Sequence, residues 1–194
     1  PEAFRKNPQF VWSWYRERRI RMEKVNFGPS HKALAELEPL FPQFTLITQN
    51  IDGLHTKAGN KNVIELHGNI WYDRCARCDY KNSYSLELEI PKCRICGGIM
   101  RPDVVWFNEQ VPQSALNEAL DAALNSDFFI IIGTSALVQP AASLPIIAKE
   151  NGALVLEINP SQTPLTFIAN WSLRQKSIDI LPHLTQTIKK ILKK

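Results

Sequence analysis

Residues 44–68 read FTLITQNIDGLHTKAGNKNVIELHG. The apolar run from Phe44 to Ile47 gives way to Gln49, Asn50 and Asp52, and a second strand-like run, Val63 to Leu66, delivers His67 beside Gly68. Polar side chains gathered so densely at the end of a buried strand cost free energy unless they bind something. The pattern recurs downstream, where FFIII leads into Gly133, Thr134 and Ser135, and LVLEI into Asn159, Pro160 and Ser161. Short apolar strands separated by helical segments indicate a parallel sheet covered on both faces. Ligands of such sheets bind beyond the carboxyl ends of the strands, so three polar clusters there favour a nucleotide site.

The helical segments follow from local signals. Asn7 and Pro8 place a capping residue and a first-turn proline ahead of QFVWSWYRERRIRM, which predicts a helix over 8–22. A second helix is expected from Ser30 to near Pro39, with others over 113–124, around 142–150 and from Pro182 onward. Strands are expected at about 45–48 and 63–66, in FFIIIG and in ALVLEI.

Four cysteines interrupt this alternation as Cys75-x-x-Cys78 and Cys93-x-x-Cys96, with fourteen residues between the pairs. Two tight knuckles at that spacing bring four thiolates to one tetrahedral Zn²⁺, whereas two disulfides would need an oxidising compartment for which nothing else in the chain argues. Four protein ligands leave no position for a reactive water, so the zinc is read as structural. The expected fold class is therefore α/β, with 1–70 and 102–194 as the main domain and 71–101 as an inserted zinc-binding module. The helix over 8–22 is allowed a place in a small helical subdomain.

Composition bounds the function. The chain has 194 residues, 44% of them apolar, and a formal charge of +4. That suffices for a sizeable core, and the mild charge does not by itself imply nucleic acid. No apolar run reaches the roughly 18 residues of a membrane span. The reading is of a soluble, intracellular chain placed in the cytoplasm, with an organelle such as the mitochondrion left open. The start at Pro1 is read as a sign that an N-terminal part precedes it.

In their order, TQNID, ELHG, the cysteine pairs, VVWF, GTS and INP resemble the motifs of sirtuins over essentially the whole chain. The resemblance implies a Rossmann-like NAD-binding domain, a zinc-binding small domain, and NAD-dependent removal of acyl groups from protein lysines, giving nicotinamide and an O-acyl-ADP-ribose. It implies that His67 is the general base, a role suited to an imidazole, whose ordinary pKa lies near about 6.5. It further implies that Gln49, Asn50, Ile51 and Asp52 face the nicotinamide end and its ribose, that Gly133, Thr134 and Ser135 approach the phosphates and ribose, and that Asn159 and Ser177 meet the adenosine. Val105, Trp106 and Phe107 match the segment that pairs with the acyl-lysine peptide, although Asn108 stands where most sirtuins carry glycine.

Tyr15 and Arg18, three apart on the first long helix, share a face on which a phenol and a guanidinium can converge on one carboxylate. They resemble the Tyr-x-x-Arg pair of class III sirtuins, which implies a preference for succinyl or malonyl over acetyl. Arg16, Arg19 and Arg21 are expected on a solvated face, and His31, His55 and His183 in structural roles. The expected partners are acylated lysines, with no membrane and no direct nucleic acid; the oligomeric state is left open, with a monomer as the expectation. The resemblance also implies a preceding strand and a Gly-Ala-Gly-type loop for the NAD pyrophosphate. Two competing readings are a non-catalytic NAD or acyl-lysine binding module and a zinc-ribbon nucleic-acid binder.

Overall fold

The computed structural model describes residues 1–193, so that of the basic terminal run only Lys194 lies outside the described residues. Its first half runs α1 (Glu2–Lys6), α2 (Pro8–Met22), α3 (Pro29–Leu37), β1 (Leu46–Thr48), α4 (Leu54–Ala58), β2 (Val63–Glu65), β3 (Gly68–Cys75), β4 (Lys81–Ser83) and β5 (Met100–Val104). The second half runs α5 (Gln113–Leu124), β6 (Phe128–Ile132), α6 (Leu144–Glu150), β7 (Leu154–Ile158), β8 (Trp171–Leu173) and α7 (Ser177–Leu192). Two compact units result. One gathers Pro1–Asn26, Thr48–Gly53 and His67–Val111; the other holds Phe27–Ile47, Leu54–Leu66 and the chain from Pro112 onward. Among the described residues no helix is long and apolar enough to cross a membrane.

The cysteine-bearing unit takes in more of the chain than the predicted 71–101, and α2 shows why. Asn7 caps this helix, its side chain accepting from the Phe10 N–H at 3.0 Å. Gln9, Trp12, Arg16 and Arg19 recur along one face, and each donates to a backbone carbonyl of one extended segment, at Leu88, Glu87, Leu86 and Ser85 in turn. Arg19 goes further. It also donates to the carbonyls of Ile70 and Tyr72 and to Asp73 Oδ1 at 2.6 Å, with both charged side chains 1% exposed. The expectation of a solvated arginine face is thus corrected for Arg16 and Arg19: unpaired carbonyls and a buried carboxylate need donors, and a guanidinium carries five. Arg21 stays exposed beside Glu17, as expected.

Beneath α2 lies an antiparallel sheet of order β4-β3-β5, with Cys75 opposite Met100 and an irregularity between Gly68 and Asp73. Tyr15, Ile70 and Val104 form its buried apolar cluster.

In the second unit β6, β7 and β8 form a parallel sheet in that order, pairing Phe128 with Leu154, Ile132 with Ile158 and Ile158 with Leu173. The apolar runs read as buried strands are those of β6 and β7, and the core joins Leu156 and Ile158 to Leu34, Leu37, Leu46 and Leu181 from the helices and β1. Helix α7 begins five residues before the predicted start at Pro182, which sits inside it. Its pairing with α3 explains the earlier start: Ser30 donates to the Ser177 hydroxyl, Thr185 to the Ala33 carbonyl, and Lys189 pairs with Glu36 at 2.6 Å. These contacts climb both helices in step, so α3 and α7 run parallel. Glu157, on β7, is fully buried yet satisfied by Thr163, Thr166, Ser172 and Arg174.

Candidate functional site

The polar segment after β1 is held by its backbone. The carbonyl of Gln49 accepts from His67, that of Ile51 from the Ile70 N–H at 2.8 Å, and that of Asp52 from the Trp71 indole at 2.7 Å. Asn50 is exposed, and Gln49, Ile51 and Asp52 are half-buried. These three carbonyl contacts fix the backbone of the segment against the start of β3.

His67 stands at the head of β3, with its Nδ1 3.0 Å from the Gln49 carbonyl oxygen. A carbonyl only accepts, so Nδ1 carries the proton and Nε2 keeps a lone pair. This is the tautomer a general base requires. The following Gly68 has φ of 76°, and a Cβ there would run into the Asp103 carbonyl oxygen. Glycine is obligatory at that point because β3 and β5 meet backbone to backbone beside the imidazole, where the Val105 N–H also donates to the His67 carbonyl at 2.9 Å.

The four cysteine sulfurs lie within 4.8 Å of one another, with Cys75 and Cys96 separated by 3.5 Å and Cys78 and Cys93 by 3.7 Å. Zinc–thiolate bonds of about 2.3 Å in a tetrahedron place sulfurs about 3.8 Å apart, so the donor set fits one structural Zn²⁺. The Arg77 and Ile95 N–H groups point at the Cys75 and Cys93 sulfurs. Gly98 lets the second knuckle approach, since a Cβ would stand 3.2 Å from Cys75 Sγ and 3.3 Å from Cys96 Sγ.

Tyr15 and Arg18 share α2, as expected, but differ in setting. Tyr15 is buried, and its hydroxyl accepts from the Trp106 indole Nε1–H at 2.8 Å. Burial raises its pKa above the ordinary phenol value, against the opposing pull of the Trp106 hydrogen bond and of Arg101 and Arg18, so the phenol is neutral and a donor at physiological pH. Arg18 is exposed, its guanidinium 5.4 Å from the Trp14 ring centroid, and among the described residues no carboxylate pairs with it.

Strand β5 ends at Val104, short of the predicted pairing segment. Val105 continues alongside His67, Trp106 is half-buried, and Phe107 is 89% exposed. A turn closes there, with the Glu109 N–H donating to the Trp106 carbonyl at 3.0 Å and Asn108 at φ 66°. This third turn position accepts glycine or asparagine, and asparagine is among the few side chains that tolerate it. Asn108 therefore holds a turn that glycine would also allow. Asn108→Gly should shift stability by less than about 1 kcal/mol, and Asn108→Val should cost about 1–3 kcal/mol, read from denaturant midpoints.

The second unit holds the remaining positions. Gly133, at φ 59°, has no atom within 4 Å of where a Cβ would stand, leaving open space at the end of β6. The Thr134 hydroxyl accepts from the Ala136 N–H, the Thr134 carbonyl accepts from the Asn159 amide at 2.6 Å, and Ser135 is exposed. Asn159 thereby ties the loop after β6 to the loop after β7. Ser177 opens α7. Arg174, which the sequence reading passed over, donates to the carbonyls of Asn159 and Ser161 and to Glu157, bracing that second loop. Of the other histidines, His31 and His55 pack with tilted rings, centroids 4.8 Å apart, and exposed His183 bonds the Asp179 carbonyl.

A family model described as the Sir2 family matches residues 1–140. The chain belongs to the Sir2 family. It is 49% identical over 180 residues to an NAD-dependent protein deacylase of Aquifex aeolicus, an alignment covering 91% of this chain and 75% of that one. A crystal structure of a Sir2 homologue in complex with NAD superposes with a TM-score of 0.93 at 43% identity, over 99% of this chain and 76% of that one. A Sir2 bound to a propionylated peptide gives a TM-score of 0.85 at 32% identity, over 96% and 81%. The Sir2 fold of this chain thus has its Rossmann-like parallel sheet in β6, β7 and β8 and its zinc site in the four clustered thiols.

Proposed function

We propose that this Sir2-family chain, an NAD-dependent protein deacylase, acts on acylated lysines with a preference for acidic acyl groups such as succinyl and malonyl. The deacylase reading rests on the Nε2 lone pair of His67, set by the Gln49 carbonyl beside the polar segment Gln49–Asp52. In this reading the acyl oxygen of the modified lysine displaces nicotinamide at the ribose C1′. His67 Nε2 then takes the proton from the ribose hydroxyl that closes on the acyl carbon. Gln49, Asn50, Ile51 and Asp52 contact the nicotinamide and its ribose; Gly133, Thr134 and Ser135 the phosphates and ribose; Asn159 and Ser177 the adenosine. Val105, Trp106 and Phe107 line the acyl-lysine. The deacylase activity of relatives and the complexes of homologues with NAD and with a propionylated peptide support the deacylase reading.

The acidic preference rests on Arg18, a guanidinium that no acid among the described residues pairs with, sharing a helix face with a phenol held neutral. A carboxylate at the end of an acyl chain supplies the missing charge. A cytoplasmic setting is part of the proposal, since four thiols committed to a metal suit a reducing compartment. The test compares kcat/KM for matched succinyl-lysine and acetyl-lysine peptides on the full encoded chain. The succinyl peptide is expected to be preferred, and Tyr15→Phe and Arg18→Met should each lower the succinyl-to-acetyl ratio about tenfold or more, as expected for lost hydrogen bonds to a charged group. A wild-type preference for acetyl, or a ratio that ignores both substitutions, would overturn the acidic-acyl reading.

A further inference from the structure

We infer that Trp106 determines acyl selectivity as a positioning residue, by fixing the direction in which the Tyr15 hydroxyl donates. The inference rests on the acidic-acyl reading and adds a residue to it. A phenol O–H lies in the ring plane and has two orientations, one on each side of the oxygen. The Trp106 Nε1–H approaches that oxygen at 2.8 Å and occupies one side as a donor. Two protons cannot share that side, so the Tyr15 proton turns to the other. A hydroxyl that accepts one strong hydrogen bond also donates the next more strongly. Tyr15 is thereby committed as a donor, the role a carboxylate requires.

The indole is itself held by its neighbours. Arg101 lies over its ring at 3.4 Å from the centroid, and Phe4 packs against it at 5.3 Å. Glu109 anchors the arrangement: its carboxylate binds the Arg101 guanidinium through both oxygens and accepts the Trp106 backbone N–H at 3.0 Å. The cation on the ring face withdraws electron density and makes the indole N–H a better donor. Arg101 is itself ion-paired with Glu109, whereas among the described residues no carboxylate pairs with Arg18.

The experiment is a double-mutant cycle on the full encoded chain, reading the succinyl-to-acetyl ratio of kcat/KM for wild type, Trp106→Phe, Tyr15→Phe and the double variant. Trp106→Phe keeps an aromatic ring and removes the N–H, and should lower the ratio about fivefold, chiefly through KM for the succinyl peptide. The double variant should match Tyr15→Phe alone, because an indole that acts through Tyr15 has nothing left to act on. Additive effects, or a ratio unmoved by Trp106→Phe while Tyr15→Phe lowers it, would overturn this inference and leave the acidic-acyl reading standing. A wild type without succinyl preference would overturn both.

Should Trp106→Phe fail to fold, the indole N–H resonances of ¹⁵N-tryptophan-labelled wild type supply the test. One resonance should shift on Tyr15→Phe, and the same one should shift more on adding succinyl peptide than on adding acetyl peptide. An indole spectrum indifferent to the succinyl peptide would overturn the inference.

Discussion

His67→Ala is expected to lower kcat by on the order of 10²–10⁴-fold, the usual contribution of a positioned general base, while NAD and acyl-peptide dissociation constants change by no more than about threefold. The separation follows from the geometry. In the proposed mechanism the imidazole contributes its Nε2 to chemistry, while its Nδ1–H goes to the carbonyl of Gln49, whose segment is also held through Ile51 and Asp52. Removing one of three anchors at a half-buried position leaves the loop in place. A variant retaining more than a tenth of wild-type turnover would deny His67 the role of base, and retained ligand binding with no turnover in the wild type would favour a binding module.

The second large effect concerns stability. Arg19→Ala strips Asp73 of its partner at 1% exposure and leaves the carbonyls of Ile70, Tyr72 and Ser85 without their donor. Breaking a buried ion pair from one side typically costs about 3–5 kcal/mol, because the surviving charge stays desolvated. Replacing both members, as Arg19→Met with Asp73→Leu, should recover part of that loss, since no charge is then left behind. Chemical denaturation of the single and double variants reads both, and a single-variant loss below about 1 kcal/mol would contradict the burial described here.

These arginines also mark where reading the chain fails. Arg16 and Arg19 sit in a run, RERRIR, whose charge density suggests solvent, and nothing local reveals that Asp73 and the carbonyls of 85–88 come to meet them. Glu157 fails for the same reason, since its four partners, Thr163 to Arg174, lie on the chain after β7. Burial of a charge is a tertiary property. The start of α7 was misplaced because Pro182 resembles a first-turn proline, whereas the Ser30 and Thr185 contacts to α3 hold the earlier turn. Strand β8, only Trp171–Leu173 and largely exposed, offers too little apolar signal to announce itself.

What was legible had a local cause. The apolar runs of β6 and β7 are covered on both faces and so read continuously, the capped start of α2 is written in Asn7 and Pro8, and metal spacing is a property of the two knuckles alone. For His67 the sequence offers a candidate base but not a tautomer. Only the placement of the Gln49 carbonyl assigns the proton to Nδ1.

The central claim, NAD-dependent deacylation, is tested most directly by incubating the full encoded chain with NAD and a succinyl-lysine peptide and quantifying products by mass spectrometry. Free lysine peptide, nicotinamide and O-succinyl-ADP-ribose should appear in equal amounts and only when NAD is present. Lysine release without NAD, or NAD cleavage that yields no acylated ADP-ribose, would contradict the account.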